Sequence, residues 1–120
     1  MKRAWSILIS CLVSGSPALA FERGDWVLAR YSGGRFFYPG IVQGVAGKNV
    51  QVRYDMGEVE TRPDIQVKVF NWRVGTRIEC NWRDVGWFSG RINALERGNL
   101  SIAYDDGDRE DTRTSRCRSL

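Results

Sequence analysis

The sequence predicts an all-β protein with two small five-stranded barrels in tandem. The first observation is an internal repeat: the segment 52–60, VRYDMGEVE, returns roughly fifty residues later at 103–110 as AYDDGDRE. Each copy follows an aromatic-rich run, FFYPGI at 36–41 and WFSGRI at 87–92. A repeat of this kind indicates two copies of one structural unit. The second observation is that residues 21–120 contain short runs bounded by turns and no helical period, so the elements are predicted to be strands.

The first unit, domain 21–70, is predicted to contain one strand for each of its short runs. Val50, Val52 and Tyr54 alternate onto one face of the third strand, and Pro63 breaks the chain before the last strand. The predicted strands are 26–30, 36–45, 49–55, 58–62 and 65–69. Short, strongly bent strands of this type close into a small barrel, which removes exposed edges.

The second unit, domain 71–120, repeats this order. Its predicted strands are 76–81, 86–95, 99–104, 108–112 and a short closing segment near Cys117. The joint at 70–74, FNWRV, is short and apolar, so the two barrels are expected to pack against each other.

Residues 1–20 are predicted to be a secretory signal peptide that is removed after Ala20. Two basic residues precede the apolar stretch 7–13, which leads to a small-residue cleavage site. The stretch is shorter than the ~20 residues of a membrane span. An alternative is a lipoprotein signal with Cys11 as the acylated residue. The sequence thus predicts a secreted protein, in the bacterial periplasm, with no membrane span.

The cysteines left after this cleavage, Cys80 and Cys117, form an even pair in an oxidising compartment. A disulfide between them is predicted, and they would lie side by side if the first and last strands of the second barrel are neighbours. Two buried free thiols are the alternative. With no histidine and no further cysteine, a metal site is not expected.

Composition disfavours catalysis and nucleic-acid binding. Without the leader the net charge is 16 basic minus 14 acidic residues, or +2, which is mild for a nucleic-acid footprint. No phosphate loop or nucleophile elbow is present, so no enzyme activity and no cofactor are predicted. The basic cluster Arg113, Arg116 and Arg118 leaves weak nucleic-acid binding through an arginine-rich tail as an alternative.

The motifs resemble the tandem Tudor domains, within the Tudor and Agenet group of SH3-like barrels. The first strand, 27–31, ends in an aromatic residue, and the second, 36–41, carries aromatic residues before a small one. The third, 50–58, ends in aromatic-Asp-x-Gly, and this series recurs in the second unit. The resemblance covers nearly all of residues 21–120 and implies a module that binds a methylated lysine or arginine in an aromatic cage.

Carried over by position, the resemblance implies one cage in each unit. The first consists of Tyr31, Tyr38 and Tyr54; the second consists of Trp82, Phe88, Tyr104 and the carboxylate Asp106. Aromatic faces attract a desolvated alkylammonium, and a carboxylate adds Coulomb attraction. The first unit has Met56 in place of Asp106, so its cage is predicted to lack an anion, and the second cage is favoured.

The same aromatic residues could instead be ordinary core. Neighbours on a strand point to opposite sides, and the residues predicted to be core are Trp26, Phe37, Trp72 and Trp87. The acids at 105–111 are read as a solvated edge countered by Arg109, Arg113 and Arg116, and Asp55 and Asp105 as turn residues that bond their own backbone.

The predicted function is therefore binding of a cationic or methylated amine, or of a basic peptide segment. The alternative to a cage is an adaptor that binds protein, cell-wall material or another periplasmic macromolecule through a groove between the barrels.

Overall fold

The computed structural model describes residues 21–120, so the predicted signal peptide and the alternative acylation site at Cys11 lie outside the described residues. The described chain is all-β, with two five-stranded antiparallel sheets that form tandem SH3-like barrels, as predicted. The strands are β1 Trp26–Arg30, β2 Phe37–Ala46, β3 Asn49–Tyr54, β4 Val59–Pro63, β5 Val67–Val69, β6 Arg77–Trp82, β7 Gly86–Glu96, β8 Asn99–Tyr104, β9 Arg109–Arg113 and β10 Cys117–Arg118.

The two sheets have equivalent strand orders, β5-β1-β2-β3-β4 and β10-β6-β7-β8-β9. The first and last strands of each unit are therefore neighbours. In the second unit this places Cys117 opposite Cys80 in the register of β6 and β10. The two cysteines form the predicted disulfide, with their Cα atoms 4.1 Å apart.

The predicted strand bounds agree with the structure to within one or two residues, except at the end of the first unit. The segment predicted as a strand at 65–69 begins with a 3-10 turn, Asp64–Gln66, and only Val67–Val69 pairs with β1. Similar turns occupy Tyr31–Gly33 and Thr114–Arg116. In the described residues, no helical segment has the length and apolar character required to cross a bilayer.

Two equivalent glycines allow the long strands of each unit to approach the next strand closely. Gly40 of β2 faces Tyr54, and Gly90 of β7 faces Tyr104. A Cβ atom at Gly90 would lie 2.5 Å from the carbonyl oxygen of Ala103, and one at Gly40 would lie 2.7 Å from that of Arg53. Both distances are too short for a side chain, so glycine is required at these two positions.

Alternation along β1 gives this strand a role in both cores. Val27 and Ala29 are fully buried in the first core, whereas Leu28 is fully buried against the core of the second unit. The remaining buried residues of the first core are Val42, Val50, Val52, Tyr54 and Val67. Those of the second core are Trp72, Ile78, Cys80, Ile92, Leu100, Ile102, Tyr104 and Cys117.

The surface where the units meet, called the seam below, contains most of the aromatic residues that the sequence assigned to the cores. Of these residues only Trp72 is buried, at 4% exposure, and its indole N–H donates to Ser119 Oγ over 3.1 Å. Phe37 exchanges two backbone hydrogen bonds with Ser119, of 2.7 and 2.9 Å. Trp26 and Trp87 are only partly buried and the core prediction for them was wrong, whereas Phe37, also partly buried, packs against the core cluster of the second unit. These residues lie on outer strand faces that the other unit covers.

Candidate functional site: an aromatic cavity in the second barrel

The four residues predicted for the second cage line one cavity of about 230 Å³. Trp82 is the last residue of β6, Phe88 lies on β7, and Tyr104 ends β8. Asp106 lies in the turn between β8 and β9, together with Asp108, a lining residue that the sequence analysis did not predict.

Strand pairing explains why these side chains converge. Trp82 pairs with Gly86 across the turn 83–85, and Phe88 lies two residues further along β7, opposite Cys80. Tyr104 pairs with Gly90 on the other side of β7. Phe88 therefore lies between the ends of β6 and β8, where their final aromatic residues reach it from either side.

Phe88 is nearly perpendicular to each of the other two rings. Trp82 and Phe88 have centroids 6.3 Å apart and planes at 87°, and Phe88 and Tyr104 have centroids 6.4 Å apart and planes at 86°. Both pairs have an edge-to-face arrangement, and the open space beside them is the cavity of about 230 Å³. This cavity leaves room for a side-chain-sized cation against the rings.

The three rings differ in exposure. Phe88 is 44% exposed, whereas Tyr104 is 6% exposed and belongs to the core. The Tyr104 hydroxyl donates to Glu110 Oε1 over 2.6 Å. Burial first, and then this hydrogen bond, raise the pKa of Tyr104 well above its usual value. Tyr104 therefore stays neutral and is held in one orientation, while Phe88 presents its ring to solvent.

Two carboxylates stand at the edge of the cavity. Asp106 Oδ1 accepts the backbone N–H of Asp108 over 2.9 Å, which fixes the turn and the direction of the carboxylate. Asp106 is thus the turn residue that bonds the local backbone, and the prediction of this role for Asp55 and Asp105 was wrong. Asp105 instead forms an ion pair with Arg77, and Asp55 accepts the Thr114 hydroxyl across the seam over 2.6 Å.

A cation already lies against one wall of the site. The guanidinium carbon of Arg83 is 5.1 Å from the ring centroid of Trp82. Arg83 is not among the residues that line the cavity, so the cavity itself stays bounded by rings and carboxylates.

The three tyrosines predicted for the first cage also come together, but more tightly. Tyr31 lies 5.9 Å from Tyr38 and 5.4 Å from Tyr54, measured between ring centroids. Tyr54 is only 1% exposed. These centroid separations are shorter than the 6.3 and 6.4 Å found in the second unit. The tyrosine rings therefore contact one another where the second unit leaves a cavity.

The prediction that the first cage lacks an anion was wrong. Glu58, the counterpart of Asp108, accepts the Tyr31 hydroxyl over 2.9 Å, and Glu60 accepts the Tyr54 hydroxyl over 3.0 Å. The hydrogen bond to Glu58 is the main cause that raises the pKa of Tyr31. Both carboxylates accept hydrogen bonds from tyrosine hydroxyls, so the polar groups of the first cluster are paired with one another.

The predicted arginine-rich tail is part of the fold. Arg116 forms an ion pair of 3.0 Å with Asp84 and donates to the carbonyl of Asn81, and Arg118 forms an ion pair with Glu79. Two of the three arginines on which the nucleic-acid alternative depends are thus engaged within the protein. Arg116 pairs with Asp84 instead of the acids at 105–111 that it was expected to counter.

Among residues 21–120, no three histidine, cysteine or acidic side chains are grouped so that they could hold a metal ion. Three of the five acids at 105–111 have other partners: Arg77 for Asp105, Tyr104 for Glu110, and the local backbone for Asp106.

Comparisons with known proteins give matches among solved structures. No protein-family model matches the chain, and no curated protein matches it. Among solved structures, it is similar to the crystal structure of ADCP1 tandem Agenet domain 3-4, with 15% sequence identity, 83% of this chain and 80% of that chain covered, and a TM-score of 0.39. The two-barrel architecture described above rests on the strand order and register of this chain.

Proposed function

We propose that the protein is a non-catalytic binding module that captures a cationic amine, such as a methylated ammonium group or a basic side chain, in the cavity of the second barrel. The observation that carries this proposal is a cavity of about 230 Å³ lined by the rings of Trp82, Phe88 and Tyr104. Two carboxylates, Asp106 and Asp108, stand at its edge. Each ring face contributes about 0.5 to 2 kcal/mol toward an alkylammonium. The carboxylates add attraction for a cation and repel an anion.

The size of the cavity limits the ligand. Pockets for drug-sized molecules start at about 300 Å³, so a cavity of about 230 Å³ suits one side-chain-sized group. A methylated lysine or arginine at the surface of a protein or peptide meets this condition, as does a small quaternary amine. The proposal is limited to the second unit, because the three tyrosine rings of the first cluster contact one another.

We further propose that the protein acts outside the cytoplasm. The Cys80–Cys117 disulfide supports this location, because disulfides form and persist in oxidising compartments. The ligand would then be a group on an exported protein or on another periplasmic macromolecule.

The adaptor alternative is less well supported. The seam where it would bind is filled by the chain's own side chains, among them Trp72, Phe37 and Ser119. A smaller cavity of about 190 Å³ remains there, lined by Trp26, Ile41, Asp55, Arg97, Gly98, Arg113, Thr114 and Ser115.

A pair of ligands that differ in charge tests the proposed function. Choline and its neutral tert-butyl analogue, 3,3-dimethylbutanol, have nearly the same shape, so a cation site should bind choline at least about tenfold more tightly. Calorimetric titration of the oxidised protein measures both affinities. Equal affinities would show an apolar groove and contradict the proposal.

A matched pair of variants locates the charge effect. Asp106→Asn removes the carboxylate at the cavity and is expected to weaken choline binding several-fold. Asp111→Asn removes an exposed carboxylate of β9 that lines a different cavity, and should leave the affinity unchanged. An equal loss in both variants would indicate a general surface charge effect.

A further inference from the structure

The cavity of about 190 Å³ at the seam is lined by residues of both units. The first unit contributes Trp26 and Ile41, which pair in the register of β1 and β2, and Asp55 from the turn after β3. The second unit contributes the turn between β7 and β8, with Arg97, and the end of β9, with Arg113. Ligand cavities occur preferentially at such contacts between units.

Hydrogen bonds of Thr114 fix the walls of this cavity. Its hydroxyl donates to Asp55 Oδ2 over 2.6 Å, which joins the two units beside the cavity. Its backbone N–H donates to the carbonyl oxygen of Gly98 over 3.1 Å, which joins the β7–β8 turn to the end of β9. Thr114 itself is only 1% exposed. The shape of the cavity is therefore set by the fold, and a ligand would not have to order it.

The charges that line the cavity favour an anion. Arg97 and Arg113 each carry a permanent positive charge, whereas the lining contains one carboxylate, that of Asp55. The ion pairs found among residues 21–120 involve neither of these two guanidinium groups. Asp55 has a partner of its own in the Thr114 hydroxyl. The cavity thus has a surplus of positive charge that no acid of the described chain compensates.

An aromatic ring, and not an acid, holds Arg97 in position. Its guanidinium carbon lies 4.6 Å from the ring centroid of Trp26. The N–H groups of a guanidinium point outward in its own plane, where a carboxylate can accept two of them at once. Trp26 and Ile41 also offer apolar surface at the same cavity, which suits the carbon atoms of such a ligand.

We propose that the seam cavity is a second binding site, which takes a carboxylate group attached to a short apolar chain. Arg97 and Arg113 donate to the carboxylate, and Trp26 and Ile41 contact the hydrocarbon part. The volume of about 190 Å³ lies below the roughly 300 Å³ at which pockets for drug-sized molecules begin. The ligand is therefore a small organic acid or one acidic side chain of a partner protein. This site is separate from the cavity of Trp82 and does not depend on the function proposed for that cavity.

Ligand pairs that differ only in charge test this site in the oxidised wild-type protein. Isobutyrate and isobutyramide have nearly the same shape, as do the α-methylamides of N-acetyl-glutamate and N-acetyl-glutamine. In ¹⁵N NMR titrations at constant ionic strength, each carboxylate should shift the Trp26 indole saturably. Each should also bind at least about tenfold more tightly than its amide. The tighter of the two carboxylates identifies the source of the ligand, a free acid or a protein side chain.

Two variants of β9 show whether Arg113 holds the carboxylate. Arg113→Gln removes a charge that lines the cavity and should weaken isobutyrate binding several-fold. Arg109→Gln removes the same charge from the same strand, but Arg109 does not line the cavity, so the affinity should stay unchanged. Both arginines are exposed, so neither change disturbs a core.

Three results would overturn the proposal. The first is equal binding of isobutyrate and isobutyramide by the wild type. The second is an equal loss of isobutyrate affinity in Arg113→Gln and Arg109→Gln, which would show a general effect of surface charge. The third is a folded wild-type protein whose Trp26 indole does not shift with tens of millimolar isobutyrate or N-acetyl-glutamate α-methylamide.

Discussion

Replacing Phe88 by alanine should weaken cation binding while leaving the fold largely intact. Phe88 is the ring common to both pairs in the cavity, at 6.3 Å from Trp82 and 6.4 Å from Tyr104. Loss of one ring worth about 0.5 to 2 kcal/mol corresponds to an affinity lower by about 2- to 30-fold. Because Phe88 is 44% exposed, the free energy of unfolding should fall by less than the ~3–5 kcal/mol typical of a buried phenylalanine.

Calorimetric titration with choline measures the affinity of Phe88→Ala, and a thermal melt measures its stability. Ile65→Ala provides the control, because Ile65 is 88% exposed in the first unit and does not line the cavity. Wild-type affinity in a folded Phe88→Ala protein would contradict this prediction, since it would show that the bound cation does not contact this ring.

Three further predictions concern stability. The Cys80→Ala/Cys117→Ala double variant opens a loop of 37 residues and should lose about 4 kcal/mol of unfolding free energy in the chain-entropy model; a loss under about 1 kcal/mol in denaturant titrations would contradict it. Gly90→Ala would place a Cβ atom 2.5 Å from a β8 carbonyl oxygen and should lower the melting temperature, whereas Gly44→Ala, with no atom within 4 Å, should have little effect. Burial and Glu110 raise the pKa of Tyr104 in the folded state, so the contribution of Tyr104 to stability should be constant below about pH 10, where the unfolded chain also keeps the phenolic proton, and should be lost as the pH rises above it. Tyr104→Phe should reduce this alkaline loss in melts recorded by circular dichroism, and an unchanged loss would show that the Tyr104 proton is not its source.

The strands could be predicted because each carries a local signal. In β3 and β8, buried residues alternate with more exposed ones without interruption. A glycine lies where the chain reverses after β2, β3, β7 and β8, whereas the turn between β6 and β7 has Arg83 and Asp84 at positive φ. The last strand of the first unit was predicted too long because Ile65 suggests a buried strand residue. In the structure Ile65 is 88% exposed within a 3-10 turn that follows Pro63.

The seam could not be predicted from alternation. The period of a strand separates its two faces but does not show what covers the outer one. Phe37 and Trp87 were assigned to cores for this reason, although each packs at the contact between units. One available signal was the run of three aromatic residues at 36–38, which requires apolar partners on both faces of β2.

Most residues of the proposed site could be predicted from the sequence. Its three rings and Asp106 were predicted from the resemblance to a known family, carried over by position, and the strand register explains why they meet. Asp108 was missed, although the repeat aligns it with Glu58, which also lies beside an aromatic ring, that of Tyr31 just after β1. The tight closure of the first cluster depends on side-chain distances that a sequence does not contain.

The most direct test of a cation cage in the second barrel is an amide-shift NMR titration of oxidised residues 21–120. Trimethyllysine, dimethylarginine, choline and betaine are titrated in parallel. The account predicts saturable shifts centred on Trp82, Phe88, Tyr104 and Asp106, with the tyrosine cluster of the first unit unaffected. A folded protein that shows no shift at these residues with millimolar ligand would contradict it.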